Sequence, residues 1–179
     1  MNPLPVQIIR SQRRKRTLQA SIVDGTVRVL VPAGLAPNAE QRMVADLVAK
    51  VTAKATAGRI DLTTRSRRLA RRYGLPTPRA IEWSTRQLSR WGSCTPSADT
   101  IRISNRLAAM PPWVLDAVLI HELAHLAVPD HGADFQTLVR RYQFTERATG
   151  YLMAVTQGRA DAADDAPGPV LGGREVMAG

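Results

Sequence analysis

The chain has 179 residues, 44% of them hydrophobic and 22% charged, which suits one globular domain with an apolar core and is short for two. Aromatic residues make up only 4%, so Leu, Val, Ile and Ala must fill the core, and the single cysteine, Cys94, excludes an internal disulfide framework. The net charge of +10 is uneven: residues 1–91 hold 18 Lys/Arg against 5 Asp/Glu, and residues 92–179 hold 7 against 10. A solvated arginine-rich face accounts for this asymmetry; weak, sequence-independent attraction of nucleic acid is the alternative.

Residues 5–10 read as a strand. Asp24-Gly25 is a two-residue hairpin turn between Leu18–Val23 and Thr26–Val31, with Val27, Val29 and Val31 on one face. Asn38 is the expected cap of a helix running to Ala57, with Met43, Leu47 and Val51 along its buried side. Asp61 caps a second, very basic helix that Gly74 stops after Tyr73. Strands are expected at Arg79–Ser84 and Thr100–Ser104, with a tight turn at Trp91-Gly92-Ser93 between them.

Pro111-Pro112 opens a helix through Leu115, Val118, Leu119 and Leu123 to about Leu126, since proline costs nothing in a first helical turn. Helices from Ala133 to Tyr142 and from Thr145 to Thr156 follow. From Gly158 the chain loses periodicity, so the reading is a domain over 1–158 and a disordered tail over 159–179. No stretch approaches the ~18 apolar residues of a membrane span, and the expectation is a soluble cytoplasmic protein that does not engage a membrane.

Chemistry concentrates at His121-Glu122-Leu123-Ala124-His125, an HExxH pattern inside a segment that reads as helix on other grounds. Residues four apart share a helix face about 6 Å apart along the axis, so both imidazoles can reach one metal ion. Glu122 projects beside that face, placed to take a proton from a water rather than to ligate. His131 follows six residues after His125, past the helix-breaking Pro129, and is the expected third ligand. All three histidines of the chain fall within these eleven residues. Three imidazoles and an open position suit Zn2+, one per chain, although nickel, cobalt or iron accept the same ligands. The spacing equals that of metzincins, but Val128 occupies their glycine position and no Met-turn is evident, with Met153 expected in the core.

Around these residues, Asp130 and Asp134 are expected as an exposed loop acid and a helix N-terminal acid, although either could orient an imidazole. Cys94 reads as an inert thiol, Trp91 and Trp113 as core. Arg90 and Arg106 read as structural partners of a carboxylate such as Asp116. Tyr151 and Arg106 are the candidates for stabilising an oxyanion, and the strand Thr100–Ser104 for pairing with an extended peptide.

Arg90-Trp91-Gly92-Ser93-Cys94, Ile101 to Leu107, Pro112 to Asp116, the HELAHL run and His131-Gly132-Ala133-Asp134-Phe135 together resemble the YgjP-like metal-dependent hydrolases. These are grouped with the WLM and SprT-like zinc metallopeptidase domains, and the resemblance spans about residues 8–155. It implies a compact α/β (α+β), zincin-like domain, with an N-terminal β-hairpin, a small sheet and an HExxH active-site helix. It also implies His131 as a ligand. Gln136 departs from the pattern, where an aromatic often follows the phenylalanine. The leading expectation is a zinc metallopeptidase acting on a peptide or protein, with Glu122 as general base. A nucleotide (NTP) pyrophosphatase using the same metal site and a nucleic-acid-directed SprT-like peptidase are the alternatives. No Gly-rich phosphate loop supports the pyrophosphatase, and the intact Glu122 argues against a metal-stabilised binding module without turnover.

Overall fold

The computed structural model describes residues 4–164. Its first unit grows from the Asp24-Gly25 turn, where φ values of +48° and +74° supply the left-handed backbone that a tight hairpin needs. Strand β2 (Gln19–Val23) pairs antiparallel with β3 (Thr26–Pro32), and β1 (Val6–Ser11) lies parallel on the other side of β3. Val27, Val29 and Val31 are fully buried, as their alternation requires. They pack with Val44 of helix α1 (Pro37–Ala57) in a small apolar cluster of their own.

The cap of α1 differs from expectation. Ala36 stands at the cap and Pro37 opens the helix, so Asn38 lies inside the first turn and makes no cap bond. The buried stripe is also rotated. Val44 is buried and Leu47 and Val48 pack beside it, while Met43 is 44% exposed. Arg10 of β1 donates to Glu40 of α1 at 2.7 Å, joining sheet and helix at their edge.

Helix α2 (Leu62–Tyr73) begins and ends as its sequence demands. The Asp61 carboxylate accepts from Thr64 N–H at 3.0 Å, and Gly74 takes the left-handed conformation. A second sheet follows with order β4-β6-β5: β4 (Ala80–Ser84) parallel to β6 (Thr100–Ser104), and β5 (Gly92–Thr95) antiparallel to it. Gly92 to Thr95 is therefore a strand rather than a turn. Central β6 has both edges paired, which removes it as a strand for receiving a peptide.

Helix α3 (Pro112–His125) is the spine of the larger core. Val114, Leu115, Leu119, Ile120 and Leu123 are at most 1% exposed. It packs against α2, β5, β6, α4 (Ala133–Val139) and α5 (Thr145–Asp164). An ion pair ties its first turn to α2: Arg65 Nε donates to Asp116 at 2.6 Å, and the same guanidinium reaches the Pro112 carbonyl at 3.0 Å. Asp116 thus belongs to Arg65, not to Arg90 or Arg106. Helix α5 runs past Thr156 to Asp164, so the tail expected from Gly158 is helical that far; residues 165–179 lie outside the described residues. Among the described residues the fold is a mixed α+β architecture of two small sheets and five α-helices. No helix of the described residues is long and apolar enough to cross a membrane.

Candidate metal centre

Helix α3 presents His121 and His125 one turn apart, while Ile120, Leu123 and Ala124 face the core with no exposure. The helix ends at His125, and past Val128 and Pro129 the chain turns back. The turn is built by Asp130, whose carboxylate accepts from Gly132 N–H at 2.8 Å. A side chain at Gly132 would place its Cβ 2.8 Å from that same oxygen and push the Asp130 carboxylate aside. The result brings His131 over the first two histidines. His121 Nε2 lies 3.2 Å from His125 Nε2 and 3.3 Å from His131 Nε2.

These distances match a shared metal. Nitrogens bound at ~2.0–2.1 Å to one tetrahedral zinc ion are about 3.3 Å apart. The third pair is looser, all three ligand atoms lying within 4.8 Å of one another. The proton positions fit too. His125 Nδ1 lies 3.2 Å from the Val128 carbonyl, which can only accept, so Nδ1 carries the hydrogen and Nε2 keeps its lone pair facing the cluster. Burial, then the neighbouring imidazoles, push the pKa of His121 down to about 4, and burial also lowers that of His125. Both rings are therefore neutral at physiological pH, as metal ligation demands.

Phe135, 1% exposed, is the platform beneath the cluster. Its ring stacks on His125 at 4.4 Å and meets His121 and His131 edge-on at 4.9 and 4.7 Å. Gln136 donates to the His131 carbonyl at 3.4 Å, so the polar residue at this departure from the family pattern holds the loop from outside.

Glu122 is 6% exposed, and its carboxyl is packed against the backbone of Gly92 in β5. A Cβ at Gly92 would fall 2.5 Å from Glu122 Oε1 and 2.8 Å from its Cγ and Cδ. The glycine is thus the space in which the carboxyl sits. Burial raises the Glu122 pKa to about 7, opposed by the nearby Arg90 guanidinium. A carboxyl poised near neutrality can both take and return a proton.

The remaining candidates take supporting places. Arg106 stacks over Trp91 at 3.9 Å and donates to Ser104 Oγ and to the Arg90 carbonyl, both at 3.0 Å, clamping the entry to β5. The Cys94 thiol is pushed up to about 11 by burial and the Glu122 charge, and it stands outside the histidine cluster. Asp134 is an exposed acid in the first turn of α4. Tyr151 packs edge-on against Trp113 at 5.6 Å, in the first turn of α3. Met153 is 61% exposed rather than core.

A cavity of about 640 Å³ opens from Glu122 and His121, between the Arg90–Gly92 segment and α5. Sequence reasoning missed strand β5, the Phe135 platform and this cavity. One signal was legible: a lone glycine beside a strand pattern marks a close backbone approach.

The family model for the YgjP-like metallopeptidase domain matches residues 36–143, from the start of α1 to just beyond α4. No curated protein and no solved structure matches the chain. The matched span covers more than half of the chain and contains all three histidines, Glu122, Gly92 and Phe135, and the chain belongs to the YgjP-like metallopeptidase domain family.

Proposed function

We propose that this protein is a zinc metallopeptidase in which His121, His125 and His131 hold the ion and Glu122 is the general base. The observation that carries the reading is the convergence of His121 and His125 of α3 with His131 of the following loop, beside the buried Glu122 carboxyl. Zinc held there supplies Lewis acidity, lowering the pKa of a water and polarising a carbonyl. The chain's own residues do the rest. Glu122 takes the proton of the attacking water and returns it to the leaving amine, and its wall of Gly92 backbone keeps the carboxyl in one place. Arg90, beside Glu122 at the mouth of the cavity, opposes the effect of burial and keeps a larger fraction of the carboxyl ionised.

The edge strand β5 takes the part expected of β6. One side of β5 pairs with β6, it lies last in the sheet order, and its first residue touches Glu122. An extended peptide laid along that open edge gains main-chain hydrogen bonds and passes the site. The basic N-terminal half adds at most weak, salt-sensitive contact with nucleic acid, and we place the protein in the cytoplasm, consistent with its single free cysteine.

The test is turnover of a peptide library and a nucleotide panel by zinc-loaded protein, with Glu122→Gln alongside. Peptide cleavage by the parent, lost by about 10² to 10⁴ in Glu122→Gln with zinc retained, is the expected result. Hydrolysis of nucleoside triphosphates without peptide cleavage would replace the reading by the pyrophosphatase.

A further inference from the structure

The cavity beside Glu122 has a wall that hydropathy conceals. Its floor is Ala117 and Val118 of α3, each one helical turn before His121 and Glu122 respectively, with Val139 of α4. Its wall is one stripe of α5, which begins at Thr145, beyond the last residue of the family match. Three threonines stand on that stripe, and each hydroxyl is turned away to a backbone carbonyl. Thr145 donates to Val139 and Tyr142 at 2.6 and 2.8 Å, Thr149 to Thr145 at 3.0 Å, and Thr156 to Leu152 at 2.8 Å. With their oxygens engaged, the threonines offer methyl groups to the cavity beside Leu152 and Met153. A stripe that reads as polar is therefore an apolar surface, continuous with the reacting end of the site.

We infer that this cavity is a specificity subsite, in which α5 selects a substrate with a large apolar group next to the bond that is cleaved. The inference rests on the peptidase reading for the statement that this group is a side chain of a peptide. At about 640 Å³ the space is larger than one side chain and within the ~300–1,000 Å³ typical of ligand sites, so leucine, methionine and phenylalanine fit without crowding. Small residues leave it unfilled. A difference of a few methylenes in such a pocket discriminates by about 10-fold or more. Arg90 and Gln157, at its margins, are the polar side chains besides His121 and Glu122 that have no hydroxyl to turn away.

Two variants at one exposed position of α5 test this. Thr149→Trp fills the cavity from a site whose side chain bonds only its own helix; Thr149→Val keeps the methyl surface and removes the hydroxyl. Cleavage of a peptide mixture by zinc-loaded protein should show a preference of about 10-fold or more for Leu, Met or Phe over Ala at one position flanking the cleaved bond. Thr149→Trp should abolish that preference, and Thr149→Val, which keeps the methyl surface, should preserve it. A flat profile in the parent, or an unaltered one in Thr149→Trp, overturns the inference and leaves the peptidase reading standing. Calorimetry with acetohydroxamate and 3-phenylpropanohydroxamate gives a readout free of turnover. The phenyl compound should bind about 10-fold or more tightly in the parent and lose that advantage in Thr149→Trp. If no peptide is cleaved but this graded binding is seen, the peptidase reading falls and the apolar subsite stands; equal affinities overturn the subsite.

Discussion

Replacing Gly92 by alanine adds one methyl group at the point where β5 touches Glu122, the proposed general base. Carbon atoms pack comfortably at about 3.5–4.0 Å, whereas this Cβ would stand 2.8 Å from Glu122 Cγ and Cδ and 2.5 Å from Oε1. Gly92 does not have a positive φ, so alanine brings no backbone strain and the whole perturbation falls on the carboxyl. An overlap near 1 Å is relieved by swinging Glu122 off its position or by parting β5 from α3. Overpacking of this kind costs about 1–3 kcal/mol of stability. A displacement of the base by 1 Å costs about 10² in rate, so kcat/KM should fall by about 10² or more, approaching the loss in Glu122→Gln. Zinc content should stay at one per chain, because a Cβ there meets Glu122 rather than any imidazole. The assay is kcat/KM on a cleaved peptide with elemental zinc and thermal melting of the same preparations, followed by the Gly92→Ala/Glu122→Gln double variant. If alanine acts through Glu122, the double variant is no slower than Glu122→Gln alone. Turnover of Gly92→Ala within a factor of about two of the parent would refute the argument, since the carboxyl would then work from some other place.

Three further outcomes are expected. The parent should bind about one zinc per chain, lost in His121→Ala or His125→Ala and strongly weakened in His131→Ala; undiminished zinc in the His131 variant, by elemental analysis, would place the third ligand elsewhere. In metal-free protein the Glu122 pKa is raised above its ordinary 4.5 to about 7, so the folded state holds that proton more tightly than the unfolded chain. The contribution is complete below pH 4.5 and is lost as pH rises through 7, a change of roughly 3 kcal/mol; urea melts of parent and Glu122→Gln should diverge by that amount across the window, and parallel curves would mean the carboxyl is not desolvated. Finally, labelled DNA and RNA titrated at two salt concentrations should show at most weak, sequence-independent binding that falls steeply with salt and weakens on charge reversal at Arg13–Arg16 and Arg67–Arg72. Tight, sequence-selective binding at high salt would instead favour a nucleic-acid-directed peptidase.

The sequence alone determined the local structure wherever a cause lies within a few residues. Asp24-Gly25 dictates a hairpin, Asp61 and Gly74 bound α2, and alternation buries Val27, Val29 and Val31. The four-residue spacing of His121 and His125 on an apolar helix likewise places two imidazoles side by side, and His131 was within reach once Pro129 broke the helix. Tertiary structure decided whatever depends on a distant neighbour. Asn38 is a good cap by composition, yet α1 starts two residues sooner, at Pro37, with Ala36 in the capping position. Asp116 could have met any arginine; the packing of α2 on α3 gave it to Arg65. The strand β5 is too short and too small in its side chains to carry an alternating signal, and it exists because β6 offers its edge. The strip of threonines on α5 reads as solvent-facing until their hydroxyls are seen bonded to backbone carbonyls, a change of character that only folded geometry can make.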